Sequence, residues 1–183
     1  LIQNILGILI FIKVKQRNRE VQKISKILLS YYSKSGTTKK MAEEIAKGIK
    51  ETGVDFVIKE IKEVDIDSLP EFDGVILGSP TYYGLPSAEI KKFLDESIKY
   101  HEKLDGMVGG AFTSSENIGG GNETTIMGIL EALLIHGMIV KGISKGNYDH
   151  YGPVVIGKPD NKELKQCKNY GREIANLVKK IHG

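Results

Sequence analysis

The stretch Lys26–Ile49, KILLSYYSKSGTTKKMAEEIAKGI, combines a strand, a polar loop and a helix in immediate succession. Lys26–Tyr32 is a short apolar run of the kind that favours a buried strand. Thr37–Thr52 follows with apolar residues at helical spacing. Because a strand that leads directly into an amphipathic helix is the repeating unit of parallel sheets, this stretch predicts an α/β fold.

The same alternation continues to the end of the chain. Further strands are predicted at Val54–Ile61, Gly74–Gly78, Met107–Phe112 and Met138–Ile143, and further helices at Ser87–Tyr100, Asn122–His136 and Asn161–Ile181. Short apolar strands separated by helices predict a doubly wound parallel sheet of five strands, with helices on both faces in a three-layer arrangement. Ligands of such sheets bind beyond the carboxyl ends of the strands, so the loops after strands one, three and four are candidate sites.

The first of these loops, which we call the hydroxyl loop, consists of Ser33, Lys34, Ser35, Gly36, Thr37 and Thr38. Hydroxyls and free N–H groups at a helix N-terminus donate hydrogen bonds to a phosphate, and the helix dipole favours its negative charge. Neither the Walker A pattern nor G-x-G-x-x-G is present. The alternative interpretation is an ordinary N-cap, with Ser35 or Thr37 satisfying the first helical turn.

The second loop, the tyrosine loop, spans 79–86 and contains Pro80, Thr81, Tyr82, Tyr83 and Gly84. Adjacent tyrosines held between prolines offer a flat, rigid surface on which a planar aromatic ligand can stack. The alternative is that the tyrosines only cover the sheet edge. We expect that one of the two, Tyr82 or Tyr83, does no more than this.

The third loop, the glycine loop, spans 114–122 and contains Ser115, Glu116, Asn117, Ile118, Gly119, Gly120 and Gly121. Three glycines suit a main chain that approaches a ligand closely, where its N–H and C=O groups can bind the polar edge of a heterocycle. A flexible connection is the alternative interpretation. The three loops together match a phosphorylated, planar, hydrogen-bonding ligand, and FMN has those three parts.

The charge distribution argues against nucleic acid as a partner. The 183 residues include 26 Lys and Arg and 23 Asp and Glu, for a net charge of +3, and residues 1–22 account for all of that excess. The remaining body is neutral and lacks a basic cluster interleaved with aromatics. The single Cys167 excludes an intrachain disulfide and a multi-cysteine metal cage, and no metal site is expected.

Residues 1–22 are predicted to be an extension, separate from a domain at 23–183. The apolar run Ile5–Ile12 is followed by Lys13, Lys15, Arg17 and Arg19. The apolar stretch is too short to span a bilayer, for which about 20 residues are needed, and a signal peptide would carry its charges before the apolar run. The extension is therefore either translated upstream sequence or a truncated anchor, whose basic flank would keep the domain on the cytoplasmic side. The prediction is a cytoplasmic protein that associates with membranes only through this extension.

Four short motifs resemble those of a known family. SKSGTT at 33–38 is similar to the flavodoxin phosphate loop T-x-T-G-N-T. GSPTYYG at 78–84, GGGNET at 119–124 and HGM at 136–138 resemble the WrbA-like NAD(P)H:quinone oxidoreductases, a branch with the flavodoxin fold. The resemblance extends in order from about Lys26 to Ile181, and it implies the strand order 2-1-3-4-5 with FMN at the sheet edge.

The resemblance also implies roles for individual residues. The hydroxyl loop would hold the phosphate, Thr81 to Tyr83 would flank the isoalloxazine ring, and Glu116 to Gly121 would wrap its pyrimidine side. Tyr82 and Tyr83 are the residues assigned to the reaction face. His136 matches a histidine that reaches flavin across a subunit interface in those enzymes, which implies a homo-oligomer. Its alternative is an interaction with the dipole at a helix C-terminus.

Two activities remain open from the sequence. The resemblance implies transfer of two electrons from NAD(P)H, as co-substrate, to a quinone. The alternative is an electron carrier that docks on a redox partner protein and catalyses no turnover itself. Carriers of this fold are typically acidic, so the neutral body favours the enzyme. The chain departs from the quinone reductases at two places. Ser35 stands where those enzymes have an aromatic residue that serves nicotinamide binding. The segment 100–105 lacks the tryptophan-bearing insert that lines their substrate site.

Overall fold

A computed structural model describes residues 24–143 and 149–183. The strands are β1 (Lys26–Tyr31), β2 (Asp55–Glu60), β3 (Gly74–Pro80), β4 (Val108–Ser115), β5 (Ile139–Val140) and β6 (Val154–Ile156). The helices are α1 (Thr37–Lys50), α2 (Ala88–Glu96), α3 (Asn122–Ile135) and α4 (Asn161–His182). Short 3-10 helices occupy Ile61–Glu63, Ile66–Glu71 and Ser97–Lys103. The predictions for residues 1–22 lie outside the described part of the chain.

The strands form one parallel sheet in the order β2-β1-β3-β4-β5, which confirms the predicted fold class and topology. Successive residues of β1 point to opposite sides, because side chains alternate along a strand. Ile27 and Leu29 pack with α1 and α4, whereas Leu28 packs with α2 and α3. The sheet is therefore covered on both faces, and because β2, β1, β3 and β4 are parallel, their carboxyl ends lie at the same edge.

The fifth position of the sheet is divided between two short strands. The predicted strand Met138–Ile143 is reduced to β5, which pairs with the start of β4 at Val108 and Gly109. The unpredicted β6 pairs with the end of β4, at Thr113 to Ser115. Residues 141–143 and 149–153 lie outside the sheet, and the fifth position is occupied again from Val154.

Tyr170 of α4 fills the gap between β5 and β6. The Ala111 N–H donates to the Tyr170 hydroxyl at 3.1 Å, and that hydroxyl donates to the Lys141 carbonyl at 3.4 Å. A Cβ on Gly110 would lie 2.6 Å from the same oxygen, so glycine leaves the space that the tyrosine ring needs. The Tyr170 hydroxyl thus takes the place of a neighbouring strand, because buried backbone N–H and C=O groups need hydrogen-bond partners.

One predicted helix is shorter in the structure. The apolar spacing predicts Ser87–Tyr100, but α2 ends at Glu96 and continues as a 3-10 segment in which Tyr100 has non-helical φ and ψ. The Ser97 hydroxyl donates to the Leu94 carbonyl at 2.7 Å, which supplies a partner for one of the free carbonyls at the end of α2. Within 24–143 and 149–183, none of the helices has the length and apolar content needed to cross a bilayer.

Candidate functional site

A cavity of about 480 Å³ lies at the carboxyl edge of the sheet, where the three predicted loops meet. Its lining comprises Lys34, Ser35, Thr37, Pro80, Thr81, Tyr82, Ser114, Ser115, Glu116 and Gly157. Eight of these ten residues are among those that the sequence assigns to the cofactor. The volume lies within the range of about 300–1,000 Å³ that is usual for small-molecule sites.

The helix that opens onto this cavity begins without a side-chain cap. Gly36 is the N-cap of α1, with φ of 93°, and no side chain of the described residues bonds to the first turn as a cap. By contrast, α2 is capped by Ser87, and α4 has a capping box formed by Asp160 and Glu163, whereas α3 resembles α1 in beginning at a glycine without a side-chain cap. The alternative of an ordinary hydroxyl N-cap in the hydroxyl loop is therefore wrong, and the first-turn N–H groups of α1 are available to an anion.

The hydroxyls around this helix terminus have different partners. Ser33 Oγ accepts from the Gly36 N–H at 3.1 Å and so shapes the turn, and the Thr37 hydroxyl donates to the Gly157 carbonyl at 3.4 Å. Thr38 is fully buried, with its Oγ1 at 2.9 Å from Ser114 Oγ. Thr38 therefore joins α1 to β4 behind the cavity wall, whereas Ser35 and Thr37 line the cavity itself.

The tyrosine loop forms a two-residue hairpin. Tyr82 and Leu85 exchange two backbone hydrogen bonds of 3.0 Å, and the central residues Tyr83 and Gly84 have φ of 52° and 78°. Positive φ at both central positions is the type I′ turn, which is costly for a bulky residue such as tyrosine. The Tyr83 side chain on this strained backbone is fully exposed, and it is not among the residues that line the cavity.

Tyr82 is placed differently from its neighbour. Its side chain lines the cavity and is 40% exposed. Burial is the main cause that raises the pKa of Tyr82, and Tyr32 and Glu89 raise it further. The phenol therefore stays protonated at neutral pH and is a hydrogen-bond donor beside the cavity.

The glycine loop packs directly on the tyrosine loop. A Cβ on Gly121 would lie 2.4 Å from the Gly84 Cα, and the Thr124 hydroxyl donates to the Gly84 carbonyl at 2.6 Å. Gly121, with φ of 90°, is also the N-cap of α3. Its close approach to Gly84 joins the two loops. The exposed members of the glycine loop are Glu116, Asn117, Ile118, Gly119 and Gly120.

His136 is the one predicted site residue that the structure does not bring to this edge. It follows the last residue of α3, and Gly121 precedes the first, so about 21 Å of helix separates them. The His136 ring is buried, with Nε2 at 2.8 Å from Ser97 Oγ, and burial is the main cause that lowers its pKa. Within one chain it takes no part in the cavity, and its role across a subunit interface stays a prediction.

Two lining residues were not assigned to the cofactor from the sequence. Gly157 follows β6, and its carbonyl accepts from Thr37, so the loop after β6 closes the cavity on the side of α1. The signal was Val154–Ile156, an apolar run ending in glycine, which is typical of a strand with a loop at its carboxyl end. Ser114 belongs to the predicted glycine loop; it lines the cavity, and its hydroxyl also contacts that of Thr38.

The described residues hold no group of three or more His, Cys, Asp and Glu side chains that is arranged to bind a metal ion. Cys167 lies buried in α4 within the core formed with α1, and burial raises the pKa of its thiol to about 12. The thiol is therefore protonated and unreactive at neutral pH. The polar side chains that line the cavity carry hydroxyl and phenol groups, together with the Lys34 amine and the Glu116 carboxylate.

Comparison with known proteins identifies relatives over most of the chain. Residues 29–127 match the family model described as Flavodoxin. A flavodoxin from Aquifex aeolicus is 37% identical over 162 residues, which is 85% of this chain and 88% of that protein. An NAD(P)H dehydrogenase (quinone) from Archaeoglobus fulgidus is 30% identical over 86% of this chain and all of that protein. A solved structure of a flavodoxin, WrbA-like protein from Agrobacterium tumefaciens superposes with a TM-score of 0.73 at 27% identity, covering 86% of this chain and 99% of that one.

Proposed function

The chain belongs to the flavodoxin family, and from this membership we propose that its cavity binds FMN for an NAD(P)H-dependent oxidoreductase activity. The observation that carries the proposal is the uncapped N-terminus of α1 at the cavity wall. An anion at this point would accept hydrogen bonds from backbone N–H groups and gain from the helix dipole.

The hydroxyl loop fits the phosphate of FMN. Ser35 and Thr37 line the cavity and supply hydroxyl donors beside the free N–H groups, and Lys34 adds a positive charge. Gly36 has φ of 93°, which turns the chain from β1 into α1 so that these groups point into one space. The phosphate would therefore be held mainly by short hydrogen bonds, with Lys34 contributing a salt-sensitive part of the affinity.

The other two loops fit the flavin ring. Tyr82 lines the cavity with an aromatic face and a protonated hydroxyl, and the neighbouring Tyr83 is fully exposed. The contact between Gly84 and Gly121 would leave the backbone N–H and C=O groups of the glycine loop near the polar edge of the ring. Stacking on Tyr82 and hydrogen bonds from the glycine loop would together set the orientation of the ring.

FMN, when bound, supplies the redox chemistry, by which NAD(P)H is oxidised and a quinone reduced with two electrons. The protein would orient the ring, and the two tyrosines would shield one part of it from water. Tyr82 remains a neutral phenol, so it would donate a hydrogen bond without changing its charge during the reaction. Tyr83, which is fully exposed beside Tyr82, would contact the second substrate.

Binding of FMN can be tested with a matched pair of glycine variants. Gly36 and Gly53 lie at the two ends of α1, both with positive φ, and a Cβ at either would meet no atom within 4 Å. Gly36→Val and Gly53→Val therefore introduce similar backbone strain, but only the first alters the hydroxyl loop. We expect purified wild type and Gly53→Val to be yellow and to quench FMN fluorescence on titration, and Gly36→Val to lose both properties. A wild type that stays colourless with excess FMN would falsify the proposal.

The enzyme and the carrier differ in turnover. The dehydrogenase relatives at 30% identity and the neutral charge of residues 23–183 support the enzyme. The carrier remains the second candidate because a flavodoxin is 37% identical. With FMN bound, NAD(P)H should be oxidised in the presence of a soluble quinone, over many turnovers and without oxygen. If FMN is bound but neither NADH nor NADPH reduces it, so that its absorbance is never bleached, the chain would belong with the carriers that act on a redox partner protein.

A further inference from the structure

The neutral net charge of residues 23–183 conceals an uneven distribution of charge over the two faces of the domain. The helices α1 and α4 cover one face of the sheet, and together they contain ten Lys and Arg residues but four Glu residues. The helices α2 and α3 cover the other face and contain two Lys residues against five Asp and Glu residues. The domain is therefore basic on one face and acidic on the other.

The helices α1 and α4 form one continuous surface, because their backbones pack in close contact. A Cβ on Gly48 would lie 1.9 Å from the Lys168 carbonyl oxygen, and a Cβ on Gly171 would lie 2.1 Å from the Ile45 carbonyl oxygen. The apolar sides of both helices are buried in the core. Their polar sides therefore lie next to each other as a single outer layer, which we call the basic face.

The acidic side chains of the basic face are largely engaged by local partners. Those that pair with a Lys or Arg side chain are Glu44, Glu173 and, just after α1, Glu51. Glu163 belongs to the capping box of α4. The exposed basic side chains that form no ion pair with another described residue are Lys39, Lys40, Lys50, Lys165 and Lys180. An excess of positive charge is thus available to an external anionic surface.

The basic face is joined to the N-terminal extension at one end. The Lys179 Nζ donates to the Thr52 carbonyl at 3.5 Å, and the Asp55 N–H donates to the Ser25 carbonyl at 3.1 Å. The carboxyl ends of α1 and α4 therefore lie beside the start of β1, where the chain enters the domain. Arg19 precedes Ser25 by six residues, which span at most about 22 Å. The positive charge of the extension is thus attached at an end of the basic face.

We propose that the basic face binds the anionic headgroups of a lipid membrane. The sequence assigned membrane contact to residues 1–22 alone, and the folded domain adds a second, electrostatic contact. The apolar run Ile5–Ile12 of the extension suits insertion at a membrane interface and has no use on a nucleic acid. Neither α1 nor α4 exposes a Phe, Tyr or Trp ring on which nucleic-acid bases could stack. This inference does not depend on the proposed function.

The test is binding of the full chain to sucrose-loaded vesicles of phosphatidylcholine with about 30% phosphatidylserine, measured by sedimentation. The face variant carries Lys40→Gln, Lys50→Gln and Lys165→Gln. We expect its binding constant to fall by about a hundredfold, since each lysine near an anionic surface contributes about fivefold. Binding of the wild type should weaken as salt is added, because the apolar sides of both helices are buried and the face contributes charge alone.

The matched control carries Lys92→Gln, Lys99→Gln and Lys103→Gln. These exposed lysines belong to α2 and the 3-10 segment after it, on the opposite side of the sheet, so the net charge changes equally. The control variant should bind the anionic vesicles like the wild type. Far-ultraviolet circular dichroism of each variant separates lost binding from lost folding.

Three results would overturn the proposal. The first is a face variant that binds like the wild type or a control variant that loses binding equally. The second is wild-type protein that binds vesicles of phosphatidylcholine alone as tightly as the anionic vesicles, which would leave the extension as the whole contact. The third is wild-type protein that does not bind the anionic vesicles but binds a DNA duplex of about 20 base pairs, which would assign the basic face to nucleic acid.

Discussion

Gly121 and Gly84 lie so close that a Cβ on Gly121 would be 2.4 Å from the Gly84 Cα. This contact joins the glycine loop to the tyrosine loop, and it exists because neither residue has a side chain. Both also have positive φ, at 90° and 78°. The junction between the two loops therefore depends on two glycines for space as well as for backbone conformation.

Gly121→Ala should separate the two loops and weaken FMN binding. We expect a loss of affinity of about tenfold or more, since the added methyl must displace the backbone of Gly84. Gly106→Ala is the control, because Gly106 has φ of 78° and a Cβ there would meet nothing within 4 Å. Gly106→Ala should lower the stability of the fold through backbone strain alone. It should leave the affinity for FMN, measured by fluorescence titration, unchanged. Equal affinities in the two variants would contradict the role of the contact.

Tyr83→Asn should stabilise the fold while reducing activity. Left-handed backbone costs an ordinary L-residue about 1–2 kcal/mol, and Asn-Gly is the preferred sequence of a type I′ turn. We expect the free energy of unfolding without cofactor to rise by about 0.5–1 kcal/mol, and quinone turnover to fall because the exposed ring is lost.

Tyr82→Asn provides the comparison for that variant. Tyr83 is the only non-glycine residue with positive φ in the described ranges, so Tyr82 has no such strain to relieve. The substitution at 82 should give no gain in stability, and it should reduce FMN affinity more, since Tyr82 lines the cavity. If Tyr82→Asn also stabilised the protein, relief of backbone strain would not explain the gain in stability expected of Tyr83→Asn.

Tyr170→Phe should destabilise the protein although it removes only one oxygen. The hydroxyl is fully buried and accepts the Ala111 N–H, so its loss leaves a strand N–H without a partner. The expected cost is about 1–3 kcal/mol in the free energy of unfolding, measured with urea. Tyr151→Phe, at a side chain that is 49% exposed, should change it by less than about 0.5 kcal/mol.

His136 should make the fold less stable in mild acid. Burial lowers its pKa in the folded protein below the ordinary value of 6.5, so the unfolded chain takes up a proton first as the pH falls. Stability therefore rises with pH in this window and is lost progressively below about pH 6.5. His136→Gln should flatten the dependence between pH 5 and 7.5, as followed by urea unfolding. His150→Gln, at an exposed position, should retain the wild-type slope.

The sequence alone determined most of the architecture. Alternating apolar runs and amphipathic helices predicted every α-helix and every strand except β6 within the described ranges, whereas the three 3-10 helices were not predicted. Burial on both faces of a parallel sheet leaves a strong local pattern. The hydroxyl, tyrosine and glycine loops were found for the same reason. Each directly follows a strand whose end could be recognised, and strand ends of one parallel sheet must open at one edge.

Tertiary structure decided what local pattern does not encode. β6 has only three residues, so no periodicity distinguishes it, and Gly157 became part of the site only because β6 pairs with the end of β4. Thr38 belongs to the hydroxyl loop in sequence, yet its hydroxyl bonds to Ser114 behind the wall. His136 lies in a matching motif, yet a helix of about 21 Å separates it from the cavity of its own chain. Sequence determines which residues follow a strand, whereas the direction of each side chain depends on contacts between segments far apart in the chain.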